Sequence, residues 1–533
     1  MPHPITFHHV RLAWPDGTVQ FDDLTTSFSD GRTGIVGDNG SGKTTLARLV
    51  TRDLTPTSGD VDVVGDVAHL PQTVTTTPGA TLADLLGVRA TLDALAAIEG
   101  GSVHEAHYDT VGSDWDLPER TRAELDAVGL AIELDRPVAA MSGGEVVLAA
   151  LVGLRLARTP VVVLDEPTNN LDRPTRRALY SLVGRWSGTL LVISHDAELL
   201  NHMDAIAEVR DGAVTVYGGT FDEYTEQVAT EQAAAQRAVQ TAQGALRVER
   251  RQVALAEQRI ARNERIGRSR RAEGQGKAAA DFYRNRAEKK SGRLRAEASD
   301  KVEAARAAVD AAEDRLRDDE GVRIDLPDPG VGAGRRLAEF IVGDVVHALV
   351  GPERVALVGR NGAGKTLLLE SLLGRKAPSG PVVPRLLTDR VGYLPQRLAA
   401  DAGTTALERV AALAPTVPAG ELRNRLARFR LRRDDVFRPL NTLSGGERFR
   451  VELAALLLAE PPAQLLVLDE PTNNLDRRTV DVLVEALASY RGGLLVVSHD
   501  DDFLTRLGVA RHLELGDGAL KDVGVDPPAG GEA

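Results

Sequence analysis

Apolar positions along this chain follow three registers: strict alternation, short unbroken runs, and a heptad. Residues 5–28 alternate apolar and polar, as in Ile5-Thr6-Phe7-His8-His9-Val10, which predicts antiparallel strands with one solvated face. Short apolar runs follow at Gly34-Ile35-Val36, at Val67-Ala68-His69-Leu70 (a strand ending at Gln72), at Val161–Leu164 before Asp165-Glu166, and at Leu190–Ile193 before Ser194-His195. Helical patterns separate them. One spans about 82–135 with breaks at Gly100-Gly101 and at 112–116; another runs from Met141-Ser142-Gly143-Gly144-Glu145 to about Ala157. Strands alternating with helices predict an α/β core with a largely parallel sheet.

The second half repeats this order. Lys43 matches Lys365, Gln72 matches Gln396, Ser142 matches Ser444, Asp165 matches Asp469 and His195 matches His499, at offsets of 322, 324, 302, 304 and 304 residues. The first half therefore holds 22 extra residues between Gln72 and Ser142. The chain is an internal duplication. Between the halves, Val239, Leu246, Val253 and Ile260 recur every seven residues, and Val302, Val309 and Leu316 resume the heptad beside Ala298, Ala305 and Ala312. With a tip broken at Gly267, Gly274 and Gly276, this predicts an antiparallel helical hairpin with a close-packed seam. Some 40 residues per arm would reach roughly 60 Å. The organisation expected is a first α/β domain at 1–222, a hairpin linker at 223–322, a second α/β domain at 323–525 and a flexible tail at 526–533.

Composition adds three points. The chain has 533 residues, 43% of them hydrophobic, enough for more than one core. It has no cysteine, which excludes disulfides, cysteine zinc sites and cysteine-bound iron–sulfur clusters. The start Met1–Thr6 lacks the regions of a secretory signal and no apolar run spans a bilayer, so a soluble cytoplasmic protein is expected. The net charge of −13 conceals an asymmetry: residues 247–295 hold 16 basic and 6 acidic residues, a net of +10 against −23 elsewhere. A strongly net-basic tip on an acidic body implies a polyanion as its target, with Arg268, Arg270, Arg271 and Lys277 as the phosphate contacts.

The chemistry lies in the repeated motifs. Gly37-Asp38-Asn39-Gly40-Ser41-Gly42-Lys43-Thr44, followed by Thr45, and Gly359-Arg360-Asn361-Gly362-Ala363-Gly364-Lys365-Thr366 both fit the phosphate-cradling P-loop. Glycines let successive N–H groups face phosphate oxygens, and the helix that follows adds its positive end. Lys43 and Lys365 would reach the β- and γ-phosphates, and Thr44 and Thr366 would ligate Mg²⁺. Asp165 and Asp469, at strand ends, would hold the Mg²⁺ shell, and Glu166 and Glu470 would orient or deprotonate the attacking water. His195 and His499 end neighbouring strands, where an imidazole can meet the γ-phosphate. Ser142 with Glu145, and Ser444 with Glu447, have capping-box spacing, and such a helix end is itself an anion site. Trp14 reads either as a stacking platform for adenine or as a buried aromatic; the second half offers Phe340 or His347.

These motifs together resemble the ATP-binding-cassette superfamily. Met141–Glu145 and Leu443–Glu447 look like its signature, Asn170-Leu171-Asp172 and Asn474-Leu475-Asp476 like its D-loops, and Gln72 and Gln396 like its Q-loops, which implies a metal role for both glutamines. The resemblance implies two tandem P-loop ATP-binding-cassette domains that close head-to-tail within one chain, as a monomer, with ATP and Mg²⁺ as cofactors. Ser444, Gly445 and Gly446 would then complete the Lys43 site, and Ser142, Gly143 and Gly144 the Lys365 site. Glu166–Asp172, repeated at Glu470–Asp476, and Tyr217–Tyr224 leading into the linker resemble the ABC-F branch of ribosome-associated translation factors. That branch implies an ATPase acting on the ribosome, its linker meeting rRNA and tRNA at the exit region, with neither a membrane nor a transmembrane subunit. Leu148 stands where the second half has Arg450, and Met141 where it has Leu443, so the Lys365 site is expected to be the weaker. A transporter ATPase subunit and a DNA-associated ABC-F protein remain as alternatives, and antibiotic protection and general translation control are both compatible with the branch.

Overall fold

The computed structural model describes the chain except for residues 1–3, 73, 75–76, 272–292, 294–295, 298, 314–315, 317–323, 379, 399–402, 432, 474, 517 and 525–533, and the side chains of 260, 263–271 and 433. Two six-stranded sheets carry the duplication. The first runs in the order Val67–Leu70, Val161–Asp165, Thr189–Ile193, Arg32–Val36, Ala205–Arg210, Ala213–Gly218, parallel except for the last pair. The second repeats it with Val391–Leu394, Leu465–Asp469, Gly493–Val497, Arg354–Val358, Arg511–Gly516, Ala519–Asp522. The central strands are wholly buried, as parallel strands covered on both faces must be, hence their unbroken apolar sequence. Register pairs Asp165 with Ile193 and Asp469 with Val497, which sets each carboxylate beside the strand leading to its histidine.

The alternating stretch at 5–28 forms Ile5–Ala13 paired antiparallel with Val19–Phe28, and Ser58–Val63 completes a three-stranded sheet. Arg336–Val342 sits likewise between Val345–Val350 and Val382–Leu386. Phe7, Phe21 and Phe28 bury against Leu46 and Leu49 of the P-loop helix, each ring contributing about 2–3 kcal/mol of burial. Each half also has a helical layer closed by an isolated bridge, Thr81 to Pro137 and Thr405 to Pro439. Both threonines cap their helices in capping boxes. The surplus of the first half falls between Thr81 and Leu117, in the helices Arg89–Glu99 and Glu105–Val111, joined by a small cluster of Ala94, Leu95, Ile98 and Val111.

Residues 222–320 form a unit apart from the two α/β halves, which together make the other. Its first arm is one helix, Phe221–Arg271, and residues 299–313 are helical. The helix passes through Gly267, so that glycine does not break it; at 51 residues it extends about 75 Å, more than the sequence suggested. A lone glycine weakens a helix by only about 1 kcal/mol, which flanking helix formers offset. Gly274, Gly276, Ala298 and Lys277 lie outside the described residues, as do the side chains of Ile260, Arg268, Arg270 and Arg271. Along the seam Val239 and Val309 are buried, and Leu246, Val253, Val302, Ala305, Ala312 and Leu316 are half-buried, whereas the off-seam Val248 and Leu255 are exposed. Gln243 Nε2 donates to Glu313 Oε1 at 3.1 Å, joining the arms. Among the described residues, no helix is long and apolar enough to cross a membrane.

Candidate functional site

Each P-loop joins a buried parallel strand to a helix, Arg32–Val36 to Lys43–Val50 and Arg354–Val358 to Lys365–Leu372. Gly37 and Gly359 have φ of 150° and 148°, and a Cβ there would lie 2.4 Å from the Val209 carbonyl and 2.2 Å from that of Leu515. Only glycine lets the loop pass so close under the adjacent strand. Lys43 Nζ donates to the carbonyls of Gly37 (2.7 Å) and Asp38 (3.0 Å). Lys365 Nζ does the same with Gly359 (2.8 Å) and Arg360 (3.1 Å), and lies 3.0 Å from His499 Nε2.

Around Lys43 the fold gathers Asn39, Gly40, Gly42, Thr44, Thr45, Gln72, Asp165, Glu166 and His195 in a cavity of about 240 Å³. Gln20 also lines it, and its Nε2 donates to the Ser41 carbonyl at 2.9 Å. The sequence reading missed Gln20 because a glutamine in an alternating strand carries no motif. The second cavity, about 380 Å³, is lined by Asn361, Gly362, Gln396, Glu470 and His499 together with Asn170 and Leu171 of the first half. Among the described residues neither cavity is lined by Ser142, Ser444 or Trp14. Ser142 and Ser444 cap the helices Gly143–Leu156 and Gly445–Leu457 through capping boxes with Glu145 and Glu447. Trp14 is half-buried against the core, and Phe340 is fully buried, which removes it as a stacking surface for a base.

The acid–histidine pairs are alike in both halves. Glu166 and Glu470 sit in left-handed backbone, φ 50° and 48°, while their N–H groups bond to Ile193 and Val497. Non-glycine residues hold that conformation only when their surroundings enforce it. Burial pushes the Glu166 carboxyl up to about 8 against the pull of Lys43, and that of Glu470 up to about 7 against Lys365. Burial, then the lysine of the same half, takes His195 and His499 down to about 3. Each carboxyl thus faces a neutral imidazole, at 3.3 Å and 3.4 Å. Burial also raises Asp165 and Asp469, opposed by the neighbouring Thr44 and Thr366 hydroxyls. Both Asp469 oxygens are buried without a hydrogen bond of standard geometry. Orphaned acceptors beside a threonine hydroxyl suit a hard cation, and a glycine cradle with its lysine suits phosphates, so the residues fit a Mg-nucleotide.

The halves also meet each other. Asn39 N–H donates to Asp476 Oδ2 (2.8 Å) and Asn361 N–H to Asp172 Oδ2 (3.3 Å), so each P-loop touches the opposite D-loop. Asn361 Nδ2 donates to the Asn170 carbonyl (2.7 Å), and Arg478 pairs with Asp38 (3.0 Å). Asn474 lies outside the described residues. Arg450 is half-buried with its Nε unpartnered, held near Glu447 and Asp476.

Comparison with known proteins identifies the two halves. Residues 21–169 and 345–473 match the family model described as ABC transporter. The chain is 32% identical to the tylosin resistance ATP-binding protein TlrC of Streptomyces fradiae, over 97% of this chain and 98% of that one. It is 29% identical to the energy-dependent translational throttle protein EttA of Mycobacterium tuberculosis, over 94% of this chain and 89% of that one. Its fold is similar to that of an archaeal ribosome recycling factor, aABCE1, solved with the ribosomal stalk protein aP1, with a TM-score of 0.56 at 19% identity, covering 96% of this chain and 88% of that one.

Proposed function

This chain belongs to the ABC-F family of ATP-binding-cassette ATPases, and on that premise we propose that it binds two Mg-ATP between its cassettes and acts on the ribosome through its basic linker. The observation that carries the two-site reading is the reciprocal contact of each P-loop with the opposite D-loop, Asn39 to Asp476 and Asn361 to Asp172. Lys43 and Lys365, released from their loop carbonyls, would bind the terminal phosphates. Glu166 and Glu470 would accept a proton from the attacking water, and His195 and His499, neutral and within reach of those carboxyls, would orient the same oxygen. Thr44, Gln72 and Asp165, and Thr366, Gln396 and Asp469, would hold Mg²⁺, which when bound offsets charge on the β- and γ-phosphate oxygens. Ser444 and Ser142, at capped helix ends, would complete the sites in trans.

The ribosomal part is supported by the net charge of +10 on residues 247–295 and by relatives named for translation and for antibiotic resistance. In this reading Arg268, Arg270, Arg271 and Lys277 meet rRNA or tRNA phosphates, and the protein works as a cytoplasmic monomer. Pelleting with ribosomes tests it, using the Glu166→Gln, Glu470→Gln double variant, whose amides are poor bases but nearly isosteric. That variant should bind ATP, lose turnover and accumulate on ribosomes with ATP, and tylosin added to a translation assay asks whether protection is the outcome. Near-normal turnover removes the catalytic assignment, and absence from the ribosomal pellet removes the ribosome in favour of a transporter or DNA partner.

A further inference from the structure

The interface between the cassettes has a centre, and it is lopsided. Asp196 and Asp500 follow the two histidines and cap the helices Ala197–Leu200 and Asp501–Arg506. The two carboxylates are near enough to repel each other. Of the arginines that line this centre, Arg173, Arg176, Arg177, Arg477 and Arg506, the one set against Asp196 is Arg176, from the helix Arg173–Gly184 that follows the first D-loop. Its side chain is only 14% exposed, and its Nη1 lies 3.6 Å from Asp196 Oδ2. The same Nη1 donates to the backbone carbonyl of His499 at 3.4 Å. Tyr180, one turn further along, donates to Asp196 Oδ2 at 2.7 Å and holds that carboxylate in place. Arg176 Nε is buried without a hydrogen-bond partner.

By the 304-residue offset, the second half has Val480 where the first has Arg176, and Ala197 stands where the second has Asp501. Arg176 and Val480 line the same cavity, about 120 Å³, together with Glu166, His195, His499 and Asp500. At this symmetric pair of positions the first cassette places a cation where the second places a valine, and Arg176 links the segment after His195 to the backbone of His499.

We infer that Arg176 is a positioning residue that couples the two ATP sites by tying the His195–Asp196 segment of one cassette to the His499 carbonyl of the other. It touches neither phosphate nor water; it makes a shift of one histidine segment displace the other. The inference rests on the two-site reading proposed above. Arginine suits the task because its charged Nη1, with two N–H groups, faces a carboxylate and a carbonyl together, whereas the valine found at the symmetric place engages neither.

The test is ATP hydrolysis by the full-length chain across ATP concentration, with circular dichroism and thermal melting as checks of folding. Wild type should give a Hill coefficient above one. Arg176→Val should bring it to about one and lower kcat several-fold, with little change in the half-saturating ATP concentration. Arg176→Lys should recover much of the coupling. The double variant Arg176→Val, Val480→Arg delivers the cation to the same cavity from the other side and should recover it as well. An unchanged coefficient in a folded Arg176→Val protein overturns the inference alone. A loss that neither Arg176→Lys nor the exchange repairs also overturns it, since the side chain then only fills space. A wild-type coefficient of one overturns the coupled two-site reading itself.

Discussion

Glu166 and Glu470 combine left-handed backbone with burial that lifts their carboxyls to about 8 and about 7. The sign of the consequence for stability follows from proton binding. With a folded-state value above the unfolded 4.5, the folded chain holds more protons than the unfolded one between those limits. Stability is therefore greatest below about 4.5 on this account and falls as pH rises through 8. Glu166→Gln removes the ionisation and should melt a few degrees above wild type at pH 8, the gap closing as pH falls toward 5. Melting curves for both proteins across pH check this, and a gap that does not vary with pH would refute it. At this scale the sequence was informative wherever chemistry repeats as a local motif: Lys43, Thr44, Asp165, Glu166 and His195 could be grouped before any fold was known, and the fold gathers them in one cavity. Gln20 and Arg176 could not be found that way. Their importance lies in what they face across space, and the one trace of Arg176 in the sequence was its mismatch with Val480.

Among the elements, strands and helices of the cassettes were readable because burial on both sheet faces forces unbroken apolar runs, while boundaries shifted by a residue or two where strands end in polar groups. The linker helix runs further than its glycine pattern predicts, because the surrounding Arg, Glu and Ala outweigh Gly267 as a terminator. Its basic stretch makes a separable claim about charge. Changing Arg268, Arg270, Arg271 and Lys277 to alanine removes up to four phosphate contacts, so the slope of log ribosome affinity against log salt should shrink by up to about three units. ATP binding to the cassettes should be unchanged. Binding across a salt series decides it, and an unaltered slope would mean that these side chains are merely solvated.

For the whole molecule, the pairing of cassettes within one chain is open to direct capture, because the protein has no cysteine of its own. The Asn39 N–H and the Asp476 carboxylate are 2.8 Å apart, so the two residues touch across the cassettes. Asn39→Cys with Asp476→Cys should oxidise to a bond inside one chain, so that halves cut by protease in the linker stay joined until reduced. Cross-linked dimers on a denaturing gel would show instead that the cassettes pair between chains. The duplication was plain in the sequence. The contacts that join its halves were not, because they run between motifs more than 180 residues apart that share no pattern.

The bridge from Thr81 to Pro137 closes the base of the helical layer, and Thr405 to Pro439 closes a shorter layer in the same way. The chain thus carries its own demonstration that this stem tolerates a change of length. By loop-closure entropy the two lengths differ by less than about 1 kcal/mol. Replacing residues 82–116 with 406–418 should therefore leave a folded protein with a near-native melting temperature, as circular dichroism would report. For protein engineering the stem is a grafting port: a fluorescent reporter or an affinity module placed between Arg89 and Val111 would ride on the first cassette without entering either nucleotide cavity.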